Sequence, residues 1–263
     1  MTGSSRLADR VALVTGAGSG MGASSAARLA EEGARVLAVD RDLAAASATA
    51  ELIGLERAEA FAADVIDPIA MGAAVSAAVA RWGRLDIGVN AAGIGASTRL
   101  VDQPVEEFQR VVDVNLRGVF VCMQAQLRQF ALQGGGGVVV NFSSTNAEQP
   151  GEGLGAYAAA KSGVSMLTRV AALETGQQGT RVVAIGPGLT DTPMVRRLTE
   201  NPAARAAFVS QIPLRRPAEP REIAATVAFL CSDDASYISG ETIFVDGGAL
   251  TGAYPTLEAR SGR

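Results

Sequence analysis

"VALVTGAGSGMG", residues 11–22, decides the fold. A short apolar, β-branched run leads straight into four glycines, Gly16, Gly18, Gly20 and Gly22, and then into an alanine-rich stretch of helical composition. Glycine lets the main chain turn sharply and come close to a ligand. A helix opening directly behind such a turn offers unpaired N–H groups and the positive end of its dipole. Strand, glycine turn and helix together make a candidate cradle for a pyrophosphate. The spacing is Gly16-x-x-x-Gly20-x-Gly22 rather than the usual G-x-G-x-x-G, so the position of the loop carries the reading. Asp40 supports it. It ends the second apolar run, where an acid can bind the hydroxyls of an adenosine ribose.

Outward from this turn, short apolar runs alternate with helix-length segments. "VALVT" (11–15), "RVLAVD" (35–40), "AEAFAAD" (58–64), "DIGVN" (86–90), "VVVNFS" (138–143), "RVVAIG" (181–186) and "TIFVD" (242–246) read as strands. Most are apolar throughout, as strands covered on both faces are. Helical segments are expected near 20–32, 43–54, 68–82, 104–131, 156–177 and 220–231. The alternation predicts an α/β, doubly wound, seven-stranded parallel sheet. No linker or repeat divides residues 1–263, so a single domain is expected, ragged at about 1–8 and 252–263. The interval from Thr190 to Pro217 is irregular and proline-bearing (Pro193, Pro202, Pro213). It follows a strand at the carboxyl edge of the sheet, where ligands bind, and is a candidate substrate lid.

Composition narrows the function. With 48% hydrophobic and 19% charged residues, the chain can build a sizeable core. A net charge of −4 and a pI near 5.1 give no basic footprint for nucleic acid or a polybasic membrane patch. The polar start "MTGSSRLADR" holds no apolar leader core. No apolar run reaches the ~20 residues of a membrane helix. Cys122 and Cys231 stand in apolar surroundings and read as buried free thiols of a reducing, cytoplasmic setting. With no histidine and no clustered cysteine, no metal site is expected.

A second stretch, "GAYAAAKSGV" (155–164), holds candidate chemistry. On a helix, Tyr157 and Lys161 share a face, with Cβ atoms roughly 5–6 Å apart. A phenol with a pKa of about 10 is a poor acid–base group at neutral pH. A nearby ammonium favours tyrosinate, and the pair can then do the work histidine usually does. A serine after the fifth strand would hold a substrate oxygen. Ser143 and Ser144 both stand there, and alternation points them to opposite sides without choosing between them.

In this order and spacing the chain resembles the short-chain dehydrogenase/reductase family, in its shorter single-domain, Rossmann-like form, from about residue 9 to 250. "TGAGSGMG" is similar to the family's TGxxxGxG, "NAAG" (90–93) to the motif steadying the central sheet beside the adenosine, and "YAAAK" (157–161) to YxxxK. "GPGLTDT" (186–192) resembles the Pro-Gly segment against the nicotinamide, and "VDGG" (245–248) a common C-terminal ending. Position 186 is glycine where many members carry asparagine or a bulkier residue. The resemblance implies a catalytic set of Asn115, Ser144, Tyr157 and Lys161. Ser144 would bind the substrate oxygen, Tyr157 move the proton, and Lys161 lower the Tyr157 pKa. Asn115 would help fix Lys161. It implies NAD held by Gly16, Ser19, Gly20, Met21, Gly22, Asp40, Arg41, Asp64, Val65, Asn90, Ala91, Gly93, Tyr157, Lys161, Pro187, Gly188, Thr190 and Thr192. It further implies a small-molecule secondary alcohol or ketone as substrate, against Ile94, Asn146, Gln149, Leu154, Leu189 and Met194, and a homotetramer.

Overall fold

Apolar runs of four to eight residues build the sheet. A computed structural model of the chain describes residues 5–196 and 200–252. The strands are β1 (Val11–Thr15), β2 (Arg35–Asp40), β3 (Ala58–Ala62), β4 (Ile87–Asn90), β5 (Gly137–Phe142), β6 (Thr180–Pro187) and β7 (Thr242–Val245). All pair in parallel, in the order β3-β2-β1-β4-β5-β6-β7. The doubly wound sheet read from the sequence is the one that forms. The order reverses between β1 and β4, so their carboxyl ends open a crevice at the switch point.

The helices are α1 (Gly20–Glu31), α2 (Leu43–Ile53), α3 (Pro68–Trp82), α4 (Val105–Val112), α5 (Gly118–Leu132), α6 (Gly155–Thr175), α7 (Pro202–Ser210) and α8 (Pro220–Cys231). Their starts follow local chemistry. Asp42 caps α2 by accepting from Ala44 N and Ala45 N, and Asp67 caps α3 with Pro68 at its first position. Glu219 and Glu222 form a capping box on α8.

Successive residues of β1 face opposite layers. Ala12 and Val14 pack with Leu29 of α1 and Val227 of α8. Val11 and Leu13 pack with Met71 of α3 and Cys122 and Phe130 of α5. Each fully buried aliphatic or aromatic side chain contributes about 1.5–3 kcal/mol, which is why the runs are apolar on both faces. Cys122 and Cys231 are both free and buried. Burial pushes the Cys231 thiol up to about 12 and the Cys122 thiol higher, so both stay protonated. Among the described residues, no helix is long and apolar enough to cross a membrane.

Two local expectations need correction. The segment expected as one helix over 104–131 is interrupted by a π-turn, Asp113–Arg117, between α4 and α5. Residues 5–8 are not ragged, because Leu7 is fully buried and its N–H donates to the Glu32 carbonyl at 2.9 Å. The remaining stretches expected to be ragged, 1–4 and 253–263, lie outside the described residues, as do 197–199 within the lid interval.

Candidate active site

The glycine turn opens a cleft of about 270 Å³ across the switch point. Gly16 and Gly20 take left-handed backbone angles, φ 68° and 55°. A Cβ on Gly16 would stand 2.8 Å from the Ala92 backbone, and one on Gly18 would meet Ala45 at 2.7 Å. Only glycine allows the loop to lie this close to β4 and α2. α1 begins behind it with Ser19 as N-cap. Ser19 makes no side-chain capping bond, and the first turn holds no acid. The N–H groups of that turn are thus left for an anion.

Asp40, at the end of β2, lines the far side. Its Oδ2 accepts from Gly18 N at 3.0 Å and its Oδ1 from Asp42 N at 3.1 Å. Each carboxylate oxygen keeps a second lone pair for a ribose hydroxyl. Arg41 is exposed beside it and forms no salt bridge among the described residues. A carboxylate, a glycine turn and an open helix N-terminus along one cleft suit a dinucleotide.

At the other end lies Gly93, with two of the catalytic candidates against it. A Cβ on Gly93 would lie 2.7 Å from Asn115 Oδ1 and 3.8 Å from Lys161 Nζ. Asn115 sits in the π-turn, fully buried, with both amide N–H groups and one lone pair of its oxygen engaged. Oδ1 accepts from Ile94 N at 3.1 Å, while Nδ2 donates to Ile94 O at 2.9 Å and to Val111 O at 3.0 Å. The wider turn thereby staples the chain after β4 to the helix, a frequent use of π-turns at functional sites. Any hold of Asn115 on Lys161 is indirect.

Lys161 is buried and donates to the Phe142 carbonyl at 2.6 Å. No carboxylate pairs with it among the described residues, and burial pulls its pKa down from 10.5 to about 8. Its ammonium lies 5.7 Å from the centre of the Tyr157 ring. Burial pushes the Tyr157 phenol up, and a hydrogen bond with Ser144 works against that. Here the geometry departs from the sequence expectation. Burial outweighs the Ser144 hydrogen bond, so Tyr157 stands as a neutral phenol able to give a proton.

The two serines part company. Ser143 donates to the Lys161 carbonyl at 3.0 Å and meets Ser165 Oγ at 2.9 Å, which also receives Thr242 at 3.1 Å. Ser144 instead faces Tyr157 and accepts from Asn146 N at 3.1 Å. One is framework and the other faces the site.

Of the cofactor residues read from the sequence, Gly16, Ser19, Gly20, Met21, Gly22, Asp40, Arg41, Asp64, Val65, Ala91, Gly93 and Thr192 line the cleft. Lys161 stands behind Gly93, and Tyr157 lies beside Lys161. Four others are placed elsewhere. Asn90 is buried under the sheet, bonded to Gln126 and Asn141. Pro187 ends β6, Gly188 N donates to Val245 O, and Thr190 is buried with its hydroxyl on Gly188 O. These form the floor behind the wall. Ala63, Ala92, Val114 and Pro193 join the lining without having been read from the sequence. They touch through small side chains or backbone, which carry no sequence signal of their own. Among the described residues no cluster of metal-binding side chains occurs.

Comparison with known proteins extends the picture. A family model described as "Enoyl-(Acyl carrier protein) reductase" matches residues 16–250. The chain is 40% identical over 259 residues to 3beta-hydroxysteroid dehydrogenase 1 of Eggerthella lenta, covering 97% of this chain and 98% of that protein. It is 39% identical over 247 residues to the cyclohexanol dehydrogenase of an Acinetobacter species, covering 93% and 96%. The crystal structure of levodione reductase superposes with a TM-score of 0.89 at 39% identity, over 94% of this chain and 100% of that one.

Proposed function

Since the chain belongs to the short-chain dehydrogenase/reductase family and is an oxidoreductase of CH–OH and C=O groups, we propose that it uses NAD(H) to interconvert a ring-borne secondary alcohol and its ketone. The observation that carries the reading is that the cleft lined by Asp40 and the glycine turn ends at Gly93, against which lies the Lys161 ammonium of the Ser144–Tyr157–Lys161 group. When bound, the nicotinamide supplies or accepts the hydride. The residues of the chain do the rest. Asp40 accepts from the adenosine ribose hydroxyls, and its charge opposes a 2′-phosphate. The α1 N-terminus faces the pyrophosphate. Ser144 donates a hydrogen bond to the substrate oxygen. In reduction Tyr157 gives its phenol proton to that oxygen, and in oxidation it takes the proton back. Lys161 carries positive charge toward the ring of Tyr157 and steadies the nicotinamide ribose. Asn115 holds Ile94 and so shapes the substrate side.

The substrate class rests on two supports. The candidate walls Ile94, Leu154, Leu189 and Met194 are apolar, with Asn146 and Gln149 as polar exceptions. The names of the relatives include a steroid and a cyclohexanol substrate. A cytoplasmic homotetramer fits the same reading. Met166, Val170 and Leu173 form an exposed apolar stripe along α6, with Phe120 exposed on α5. Light scattering at micromolar concentration checks the tetramer, and a monomer would refute it. The activity is checked with a panel of cyclic and open-chain secondary alcohols, each with NAD and NADP, following reduced dinucleotide by absorbance. Turnover of cyclic alcohols with NAD is expected. A preference for NADP, or no turnover of any alcohol or ketone, would overturn the proposal.

A further inference from the structure

Among the described residues of the interval 190–217, three attachments stand out. Its two ends are clasped together, with Ala218 N donating to Leu189 O and Asp191 N to Ala218 O, both at 2.9 Å. Its front, Thr192 to Met194, lines the cleft. Thr192 lies against Gly20, and Met194 stands over Gly95, whose added Cβ would be 3.6 Å from Met194 Cγ. The far limb has a different attachment. Helix α7 buries none of its residues. Among residues 200–216, Ile212 is the single buried one, at 4% exposure.

Ile212 sits on the "VDGG" turn. Gly247 and Gly248 take φ 63° and 87°. A Cβ on Gly247 would stand 2.8 Å from Ile212 Cγ2, and one on Gly248 would stand 3.0 Å from Pro213 Cγ. Leu214 N donates to Gly247 O at 3.2 Å. Asp246 fixes the turn, accepting from Gly248 N at 2.9 Å and Leu250 N at 2.8 Å. The turn in turn abuts Gly188, whose added Cβ would be 2.8 Å from Asp246 Cα. The other link of this limb, Arg216 to Glu222, is a solvent-exposed ion pair and holds weakly.

We propose that Ile212, seated on the Gly247–Gly248 turn, is a positioning residue that fixes the far limb, residues 200–216, and with it the front Thr192–Met194 at the substrate side of the cleft, and so sets which alcohols are accepted. The glycines are required because the seat lies where any side chain would stand. Ile212 touches neither dinucleotide nor substrate and acts through the segment that carries Met194. This rests on the cleft being an alcohol and dinucleotide site.

The test uses Ile212→Ala, Gly247→Ala, their combination, and Ile212→Val as the conservative variant, all in the full chain. Trypsin cleavage after Arg205, exposed on α7, needs no substrate. Ile212→Ala should speed it by about tenfold or more while the Tm changes little, and Ile212→Val should stay near wild type. With alcohols, Ile212→Ala should raise KM and alter the ratio between bulky and small ring alcohols, while the NAD dissociation constant, which senses only the Thr192 end of the segment, shifts far less. Gly247→Ala should do the same, and the double variant should add little, because both act on one seat. Unchanged Arg205 cleavage in Ile212→Ala would overturn the proposal. So would a parallel rise in every KM and in the NAD dissociation constant with a falling Tm. A wild type that oxidises no alcohol would sink the functional reading instead, and the Arg205 cleavage rate would still decide the seat.

Discussion

Raising the pH should relieve a folding cost carried by one residue. Lys161 is the only lysine in a chain that also lacks histidine. In the fold its pKa is about 8, against 10.5 for the ordinary side chain, because the ammonium is buried with one carbonyl as partner. Between those two values the unfolded chain holds the proton and the folded chain does not. The Lys161 contribution to stability therefore rises with pH through that window, while the buried Cys122 and Cys231 thiols, which deprotonate more readily in the unfolded chain, act in the opposite sense in wild type and variant alike. The cost of burying the ammonium is fully present below about pH 8. The whole gap corresponds to about 3 kcal/mol, of which about 2 kcal/mol should be recovered between pH 7 and 10. Lys161→Met keeps the stem and removes the charge. It also leaves the Phe142 carbonyl unpaired, at about 1–3 kcal/mol, so its stability at pH 7 should lie near wild type. Its pH slope should be lower by about 2 kcal/mol over the same range. Urea unfolding of both proteins at the two pH values and one fixed protein concentration measures the difference. Equal pH slopes in the two proteins would refute the reasoning, since the ammonium would then be as well solvated folded as unfolded. A single ¹⁵N-lysine side-chain signal, unambiguous in a one-lysine chain, reads the same pKa directly.

Asp40→Ala should narrow the preference for NAD over NADP by about tenfold or more, through loss of charge-assisted ribose contacts. The ratio of kcat/KM for the two dinucleotides on one alcohol reports it, and an unchanged ratio would remove Asp40 from that role. Ser144→Ala and Ser143→Ala should separate cleanly. The first should lower kcat by ~10²–10³ with stability intact. The second should cost about 0.5–1.5 kcal/mol of stability, from the lost bonds to the Lys161 carbonyl and Ser165, with kcat kept within severalfold. A collapse of kcat in Ser143→Ala with unaltered unfolding would reverse the two assignments.

The sheet was legible because its code is coarse and redundant. Runs such as 11–15 and 181–186 are apolar on both faces, and Gly16 to Gly22 sit where only strand, turn and helix can place them. The cradle followed, since Asp40 must end β2 once β2 is known. What escaped the sequence depends on offsets of one residue or on solvation. The π-turn at Asn115 adds a single residue to a helical ring, and a 3.6-residue pattern does not register it. Ser143 and Ser144 alternate, but which faces the cleft depends on α6 offering the Lys161 carbonyl and Ser165 to one of them. Asn90 sits in a cofactor-side motif, yet its amide is turned under the sheet to Gln126 and Asn141. Gly88 was the available signal for that network, because a Cβ there would meet the Gln126 side chain at 2.3 Å. The Tyr157 pKa was the hardest to foresee. Sequence gives the neighbouring ammonium but not the burial that raises the phenol.

The claim at the centre of this account is that Tyr157 moves the proton while NAD(H) moves the hydride. Tyr157→Phe removes one oxygen and keeps the ring that packs beside Lys161. The decisive measurement is NAD-dependent oxidation of a cyclic secondary alcohol by wild type and Tyr157→Phe, with NADH binding to both followed by fluorescence. The account predicts matched NADH affinity and a kcat lower by ~10²–10⁴ in the variant. A kcat near that of wild type on the same alcohol would contradict it.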